Sequence, residues 1–315
     1  MREEVPWAIT QILSCKNYVK GHAQYYCSNK SCLHEKRVPF TCKHRMCNSC
    51  GKVASDKWVA KQKQVLPKCS FQHITFTMPC ELWPIFDRNR HLLNKLPTLA
   101  AQSVLKLAKK KNIKPGIFTA LHTFGRDLKW NCHVHLSVTR GGLSLDLSEW
   151  KNIYFPAKNL MSVWRHGVTK LLRDAFKEGK LNLPHNIAPY FLNKLLNEQY
   201  QRHWRIHCAK KQNNAEKDIA YLGKYIKRPP LANSRLVHYS GKDVLFKYFD
   251  HKSGTHKRLH LDVYSFLKRF TQHIPPKHFK IIRYYGFLAN SVRTRYLPLV
   301  YKLTNSIFDF VHHVS

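Results

Sequence analysis

Apolar residues along this chain recur with two periods, about 3.6 and about 2, and most segments follow one or the other. Val5, Ile9, Ile12 and Leu13 share a stripe and predict a short amphipathic helix over residues 1–14. A second helix is expected from near Ser55 to just before Pro67, and residues 92–111 read as a basic helix. Helical spacing returns at 158–177, 190–207 and 215–227, the last stopped by Pro229 and Pro230. Strand spacing is clearest at 71–79, where Ile74, Phe76 and Met78 alternate with polar neighbours. Residues 117–124 and 132–139 form two more strands, the second expected to end in a turn at Gly141-Gly142. Further on, 237–239, 244–249 and 258–263 alternate as strands, with 250–255 as a connecting turn. Strand runs mixed with helical runs predict an α+β fold.

Charge narrows the choice of partner. The chain has 315 residues, room for about two domains at ~150 residues each. Lys and Arg number 54 against 18 Asp and Glu, a net charge of +36. Such a surface repels itself unless it meets a polyanion, and nucleic acid is the common one. Anionic membrane is the rival partner. No apolar run approaches the ~18 residues of a spanning helix, and no stretch has the profile of a signal peptide. A soluble cytoplasmic protein is expected.

Of ten cysteines, Cys27, Cys32, Cys42, Cys47 and Cys50 lie within 24 residues. The plainer alternative is a set of buried thiols packing as small hydrophobes, but such clustering favours metal. Zinc takes four soft ligands in a tetrahedron, and the short pairs Cys27/Cys32 and Cys47/Cys50 are the expected set. Cys42, His34 and His44 are spare candidates, and Cys15, Cys69, Cys80, Cys132 and Cys208 are expected to be packing residues. Lys30, Lys36, Arg37, Lys43, Arg45 and Lys52 around the cluster point to contact with phosphate backbone.

Two further blocks carry chemistry. His133 and His135 sit two apart in a strand pattern, so both imidazoles share one face, opposite Cys132, Val134 and Leu136. With 20 histidines in the chain such a pair arises by chance, but His122, eleven residues upstream, can return beside it as a third ligand. Two or three imidazoles leave positions open on a divalent cation for a phosphate oxygen. In the helical stretch 215–227, Ile219, Leu222 and Ile226 take one stripe, while Tyr221 and Tyr225 share another with Asp218 a turn earlier. Taken alone, these are two surface tyrosines. Gly223 between them costs about 1 kcal/mol in a helix interior, a hint of close approach to something.

Together these blocks resemble rolling-circle transposases of the two-tyrosine HUH nuclease superfamily, including the ISCR type. The resemblance runs through FTCKHRMCNSC (40–50), HITFTMP (73–79), HTFGRDLKWNCHVH (122–135), YLGKYIKRP (221–229) and KHFKIIRYYGFLA (277–289). Cys132 stands where the family pattern has Pro, a departure that touches strand geometry rather than a ligand. Family members carry more residues before the cysteine module, so a short or N-terminally trimmed version is expected. The resemblance implies an HUH fold, an antiparallel sheet flanked by helices. It implies a zinc-binding, DNA-contacting module at 1–68, a nuclease domain at 69–290 and a tail at 291–315. His133 and His135, with His122, would hold Mg²⁺ or Mn²⁺, and Tyr221 or Tyr225 would attack the scissile phosphate. Lys224 would favour the ionised phenol, and Asp218 would accept its proton. The implied partners are single-stranded DNA at the ends of a mobile element and target DNA, in a bacterial, nucleoid-associated setting. A rolling-circle replication initiator or relaxase shares the His and Tyr chemistry. A non-catalytic zinc-dependent DNA-binding protein would explain the charge and cysteines but not those two blocks. An RNase H-type transposase is disfavoured, because the 18 carboxylates form no recognisable triad signature.

Overall fold

The computed structural model describes residues 2–209, 229–250 and 253–305. The expected tyrosine helix at 215–227, with Tyr221, Lys224 and Tyr225, lies outside the described residues. The elements begin with α1 (Glu4–Leu13), β1 (His22–Tyr26), β2 (Glu35–Pro39), α2 (Asn48–Val65), β3 (Phe71–Phe76) and α3 (Trp83–Arg88). There follow α4 (Leu96–Lys110), β4 (Ile113–Phe124), β5 (Trp130–Ser144), β6 (Trp150–Asn152), α5 (Ala157–Lys177) and α6 (Pro189–Glu198). After β7 (Ile206–Cys208) come β8 (Leu236–Tyr239), β9 (Asp243–Asp250), β10 (Thr255–Asp262), α7 (Val263–Thr271), β11 (Ile282–Gly286) and α8 (Arg293–Leu303). Among the described residues, no helix is long and apolar enough to cross a membrane.

The chain forms two compact units that interleave in sequence. One comprises the described residues of Met1–Val59, Phe124–Lys129 and Gly223–His278; the other, those of Ala60–Thr123, Trp130–Leu222 and Phe279–Ser315.

In the first unit, β1 and β2 form an antiparallel hairpin, and β10-β9-β8 an antiparallel three-stranded sheet. Val5 and Ala8 of α1 bury against Met46 and Ile274, and Phe246 of β9 packs with Leu128 and Leu231. The Arg2 guanidinium donates to the carbonyls of Thr271 (3.0 Å) and Ile274 (2.8 Å), at and just beyond the end of α7.

The second unit is built on the sheet β11-β4-β5-β3-β7, with β6 added to β5. The pairings β11–β4, β5–β3, β3–β7 and β5–β6 are antiparallel. Alternation decides its two faces. Ile74 and Phe76, Ile117 and Leu121, and Cys132, Val134, Leu136 and Val138 enter one core with Ala100 and Val104 of α4, Trp164 and Val168 of α5 and Leu192 of α6. Cys132 is fully buried there, a packing residue on the helix-covered side. His122, His73, His133 and His135 occupy the alternate positions and face the other way.

Three expectations change. Residues 132–139 do not end in a turn at Gly141-Gly142; β5 runs on to Ser144, and Gly141 and Gly142 pair with Asn152 and Lys151. A Cβ on Gly141 would lie 2.5 Å from Trp150 Cε2, and one on Gly142 2.5 Å from the Lys114 carbonyl oxygen, so these glycines permit close approach. The helix expected over 190–207 stops at Glu198, and a 3₁₀ turn leads to β7. Trp204, Ile206 and Cys208 recur with period 2, and β7 supplies partners to the edge of β3. Finally, α2 begins at Asn48 rather than near Ser55.

Candidate metal centres

In the first unit the fold gathers Cys15, Cys42, Cys47 and Cys50, one sulfur from each within 4.8 Å of the others. The Sγ separations are 3.6 Å for Cys15–Cys50 and for Cys42–Cys50, and 3.7 Å for Cys15–Cys47. A tetrahedron of sulfurs about 2.3 Å from zinc has edges of about 3.8 Å, so the four thiols have the right spacing. Local structure explains how they meet. Cys15 follows α1, where Lys16 N–H donates to the Phe40 carbonyl (3.1 Å) and draws the two segments together. Cys47 and Cys50 sit at the start of α2, where the helix dipole favours negative sulfur. Burial pushes the Cys42 and Cys47 thiols up. At Cys15, burial pushes the same way, but hydrogen bonds with Cys42, Cys50 and Cys47 together outweigh it and hold the thiol below its usual range. Four sulfurs this close ionise together only around a cation.

This set differs from the expected one. Cys47 and Cys50 belong to it, but Cys27 and Cys32 are exposed at the end of the β1–β2 hairpin, where Cys27 N–H donates to the His34 carbonyl (3.0 Å). Cys42, a spare candidate, and Cys15, expected to be a packing residue, take their places. Of the other two spare candidates, His34 is exposed, and His44 is half-buried with its Nδ1 accepting from Met46 N–H (3.2 Å).

In the second unit His122 of β4 comes beside His133 and His135 of β5, one ring nitrogen from each within 4.8 Å of the others. His133 Nδ1–H donates to the Asn131 carbonyl (2.9 Å), which leaves its Nε2 lone pair exposed toward His135 Nε2 at 3.1 Å. Two ligands at right angles on an octahedral cation, each about 2.1 Å away, lie about 3.0 Å apart, so this spacing fits a divalent ion. On its other side His135 Nδ1 lies 3.2 Å from His73 Nε2 and 3.3 Å from Thr75 Oγ1. His73 Nδ1 is in turn 3.2 Å from Ser137 Oγ. The register Thr75↔His135 and His73↔Ser137 creates this outer layer. Hydrogen-bonded partners of this kind fix the tautomer and aim of a ligating imidazole.

Electrostatics keeps these rings neutral, the form that ligates. Burial, then His207, lowers His73 from 6.5 to about 4. Burial lowers His133 against the opposing hydrogen bond to Asn131. His135 lies well below its usual value through burial and then its neighbours His122, His133, His73 and His207. His73 is not signalled by any motif around the His pair. Its traces are the polar alternation of His73 and Thr75 within an apolar strand and its place at the head of the HITFTMP block, neither of which marks it as a partner of His135.

An antiparallel sheet carrying three convergent imidazoles, in a chain with a four-thiol cluster and this charge, has donor sets that could hold two metal ions and a charge suited to a polyanion. Comparison with known proteins gives the family. Residues 116–295 match the family described as "Putative transposase", and residues 1–78 match the "Transposase zinc-binding domain". The chain is 42% identical over 302 residues to the "Transposase for insertion sequence element IS801" of Pseudomonas savastanoi pv. phaseolicola, covering 93% of this chain and 72% of that protein. It is 27% identical over 308 residues to "Putative transposase y4qJ" of Sinorhizobium fredii (strain NBRC 101917 / NGR234), covering 92% and 75%. No solved structure matches. The chain belongs to this family of transposases with an N-terminal zinc-binding domain.

Proposed function

We propose that this transposase nicks and rejoins single strands of DNA through a covalent 5′-phosphotyrosine link, in rolling-circle transposition of an insertion sequence. The observation that carries the reading is the convergence of His122, His133 and His135, with the Nε2 atoms of the β5 pair 3.1 Å apart and hydrogen bonds behind both. These residues would hold Mg²⁺ or Mn²⁺, which when bound polarises the scissile phosphate and offsets charge building on its oxygens. Cys15, Cys42, Cys47 and Cys50 would hold the structural Zn²⁺.

The nucleophile is the hydroxyl of Tyr221 or Tyr225. At a reference pKa of about 10, roughly one phenol in a thousand is ionised at neutral pH, so Lys224 favours the phenolate and Asp218 takes the proton. The phenolic oxygen bonds to phosphorus as the P–O3′ bond breaks. The strand downstream of the break stays on the tyrosine through its 5′-phosphate, and the upstream strand leaves with its O3′ taking a proton to become a 3′-hydroxyl. Reversal by another 3′-OH rejoins DNA without an external energy source. Two tyrosines let one strand be held while another is cut.

The test is nicking of single-stranded oligonucleotides from the ends of the element, with Mn²⁺ present. The wild-type chain should cut and leave a covalent adduct on a denaturing gel. His133→Ala with His135→Ala should abolish cutting and spare binding. Undiminished nicking without adduct by Tyr221→Phe/Tyr225→Phe would rule out tyrosine chemistry.

A further inference from the structure

Five residues beyond His135 on β5, about 17 Å along the strand, Arg140 opens onto a cavity beside β6. It measures about 430 Å³ and is lined by Cys69, Ser70, Arg140, Trp150, Asn152 and Tyr154, among others. The pocket is built rather than incidental. Gly141 lacks the Cβ that would collide with the Trp150 indole, and Phe287 meets that indole edge-on at 6.0 Å. Arg140 lies over the Tyr154 ring, 5.4 Å from its centroid, and its Nε is buried with no acceptor among the described residues. No carboxylate among the described residues forms an ion pair with it. A planar guanidinium with an unpaired Nε keeps donors for an anion that can accept two parallel hydrogen bonds, and a phosphate offers such a pair of oxygens. Tyr154 is 54% exposed, so one face of its ring is free to stack.

We propose that this pocket is a subsite for one unstacked nucleotide of single-stranded DNA, with the base on Tyr154 beside Trp150 and the phosphate on Arg140. Ser70 and Asn152 supply hydrogen bonds to the base edge. The volume suits one nucleotide, and a base paired in a duplex cannot enter it. The subsite is separate from the histidine centre and grips the strand away from the scissile bond. It rests on the reading that the DNA is handled as a single strand, but not on catalysis.

The test uses the full chain and two fluorescent probes, (dT)₂₀ and a 20-base-pair duplex, at one fixed salt concentration because phosphate contacts are salt-sensitive. Losing a stacking platform lowers single-strand affinity by about five- to 150-fold. Tyr154→Ala and Arg140→Gln should each show a loss in that range on (dT)₂₀ and leave duplex binding within twofold. Arg140→Lys, which keeps charge without the planar fork, should fall between. Irradiation of (dT)₂₀ carrying 5-iododeoxyuridine should crosslink to Trp150 or Tyr154 in the wild-type chain. Thermal melts and zinc content matching wild type qualify each variant; a variant that fails them is replaced by the crosslink as the deciding measurement. His133→Ala/His135→Ala should crosslink as wild type does, which separates failure of this subsite from failure of the nicking chemistry. Single-strand affinities within twofold of wild type for both variants, with no crosslink at 150–154, would overturn the proposal. So would equal losses on single strand and duplex. A crosslink abolished by dTMP, with (dT)₂₀ affinity unaffected by Tyr154→Ala, would assign the pocket to a free nucleotide instead.

Discussion

His73→Phe keeps the bulk of a ring on β3 and deletes both ring nitrogens. Those nitrogens lie 3.2 Å from His135 Nδ1 and 3.2 Å from Ser137 Oγ. With His73 Nδ1–H donating to Ser137 Oγ, its Nε2 accepts from His135 Nδ1–H, and His135 then presents an Nε2 lone pair beside that of His133. This tautomer is assigned from the hydrogen-bond network. Loss of an outer-layer partner lowers metal affinity by about 10- to 100-fold, or roughly 1.4–2.7 kcal/mol. Thr75 Oγ1, 3.3 Å from His135 Nδ1, remains as a substitute acceptor. His73→Phe is therefore expected near the lower end, about tenfold, and His73→Phe with Thr75→Val near the upper end, about 100-fold. Calorimetric titration of Mn²⁺ into the zinc-loaded chain measures this directly. The Mn²⁺ concentration for half-maximal nicking should rise in parallel, with the plateau rate little changed, because the layer acts on binding rather than on the attacking group. Wild-type Mn²⁺ affinity in the double variant would refute the assignment of this layer.

Cys15→Ser and Cys42→Ser should each lower bound zinc well below the wild-type value of about one per chain, while Cys27→Ser and Cys32→Ser should retain it; elemental analysis decides, and the reverse pattern would restore the spacing-based set. Because burial lowers His73 from 6.5 to about 4, acid protonates it sooner in the unfolded chain than in the fold. Its contribution is fully present above pH 6.5 and is lost by about 3 kcal/mol as pH falls to about 4. Urea unfolding at pH 7 and pH 4.5 should show that loss in the wild-type chain and a smaller one in His73→Phe. The charge of +36 predicts single-strand affinity that falls steeply with salt, with a log–log slope of about 0.7 per phosphate contacted; a flat response would show that this charge does not serve nucleic acid.

What could be read from the sequence tracks how far apart the cooperating residues lie. His133 and His135 share a face because strand alternation is local, and His122 returns to them across the short connection at 125–129. His73 stands 62 residues from His135, and only the register of β3 against β5 brings them together. Alternation marks His73 as facing away from Ile74 but carries no record of which strand lies alongside.

The thiol cluster fails to follow spacing for a related reason. Sequence proximity makes Cys27 and Cys32 a natural pair, yet they lie at the end of a hairpin whose strands pair in the register Tyr26↔Glu35. That pairing holds them in solvent, outside the four-thiol cluster. Cys15 enters the cluster because α1 docks through Val5 and Ala8 onto Met46 and Ile274, a core that joins residues more than 250 positions apart. Met46 lies in that core and directly precedes Cys47, so the packing that seats α1 also sets the distance between Cys15 and the α2 thiols. Disturbing this apolar contact should therefore loosen zinc without touching a sulfur, which no rule of ligand spacing anticipates.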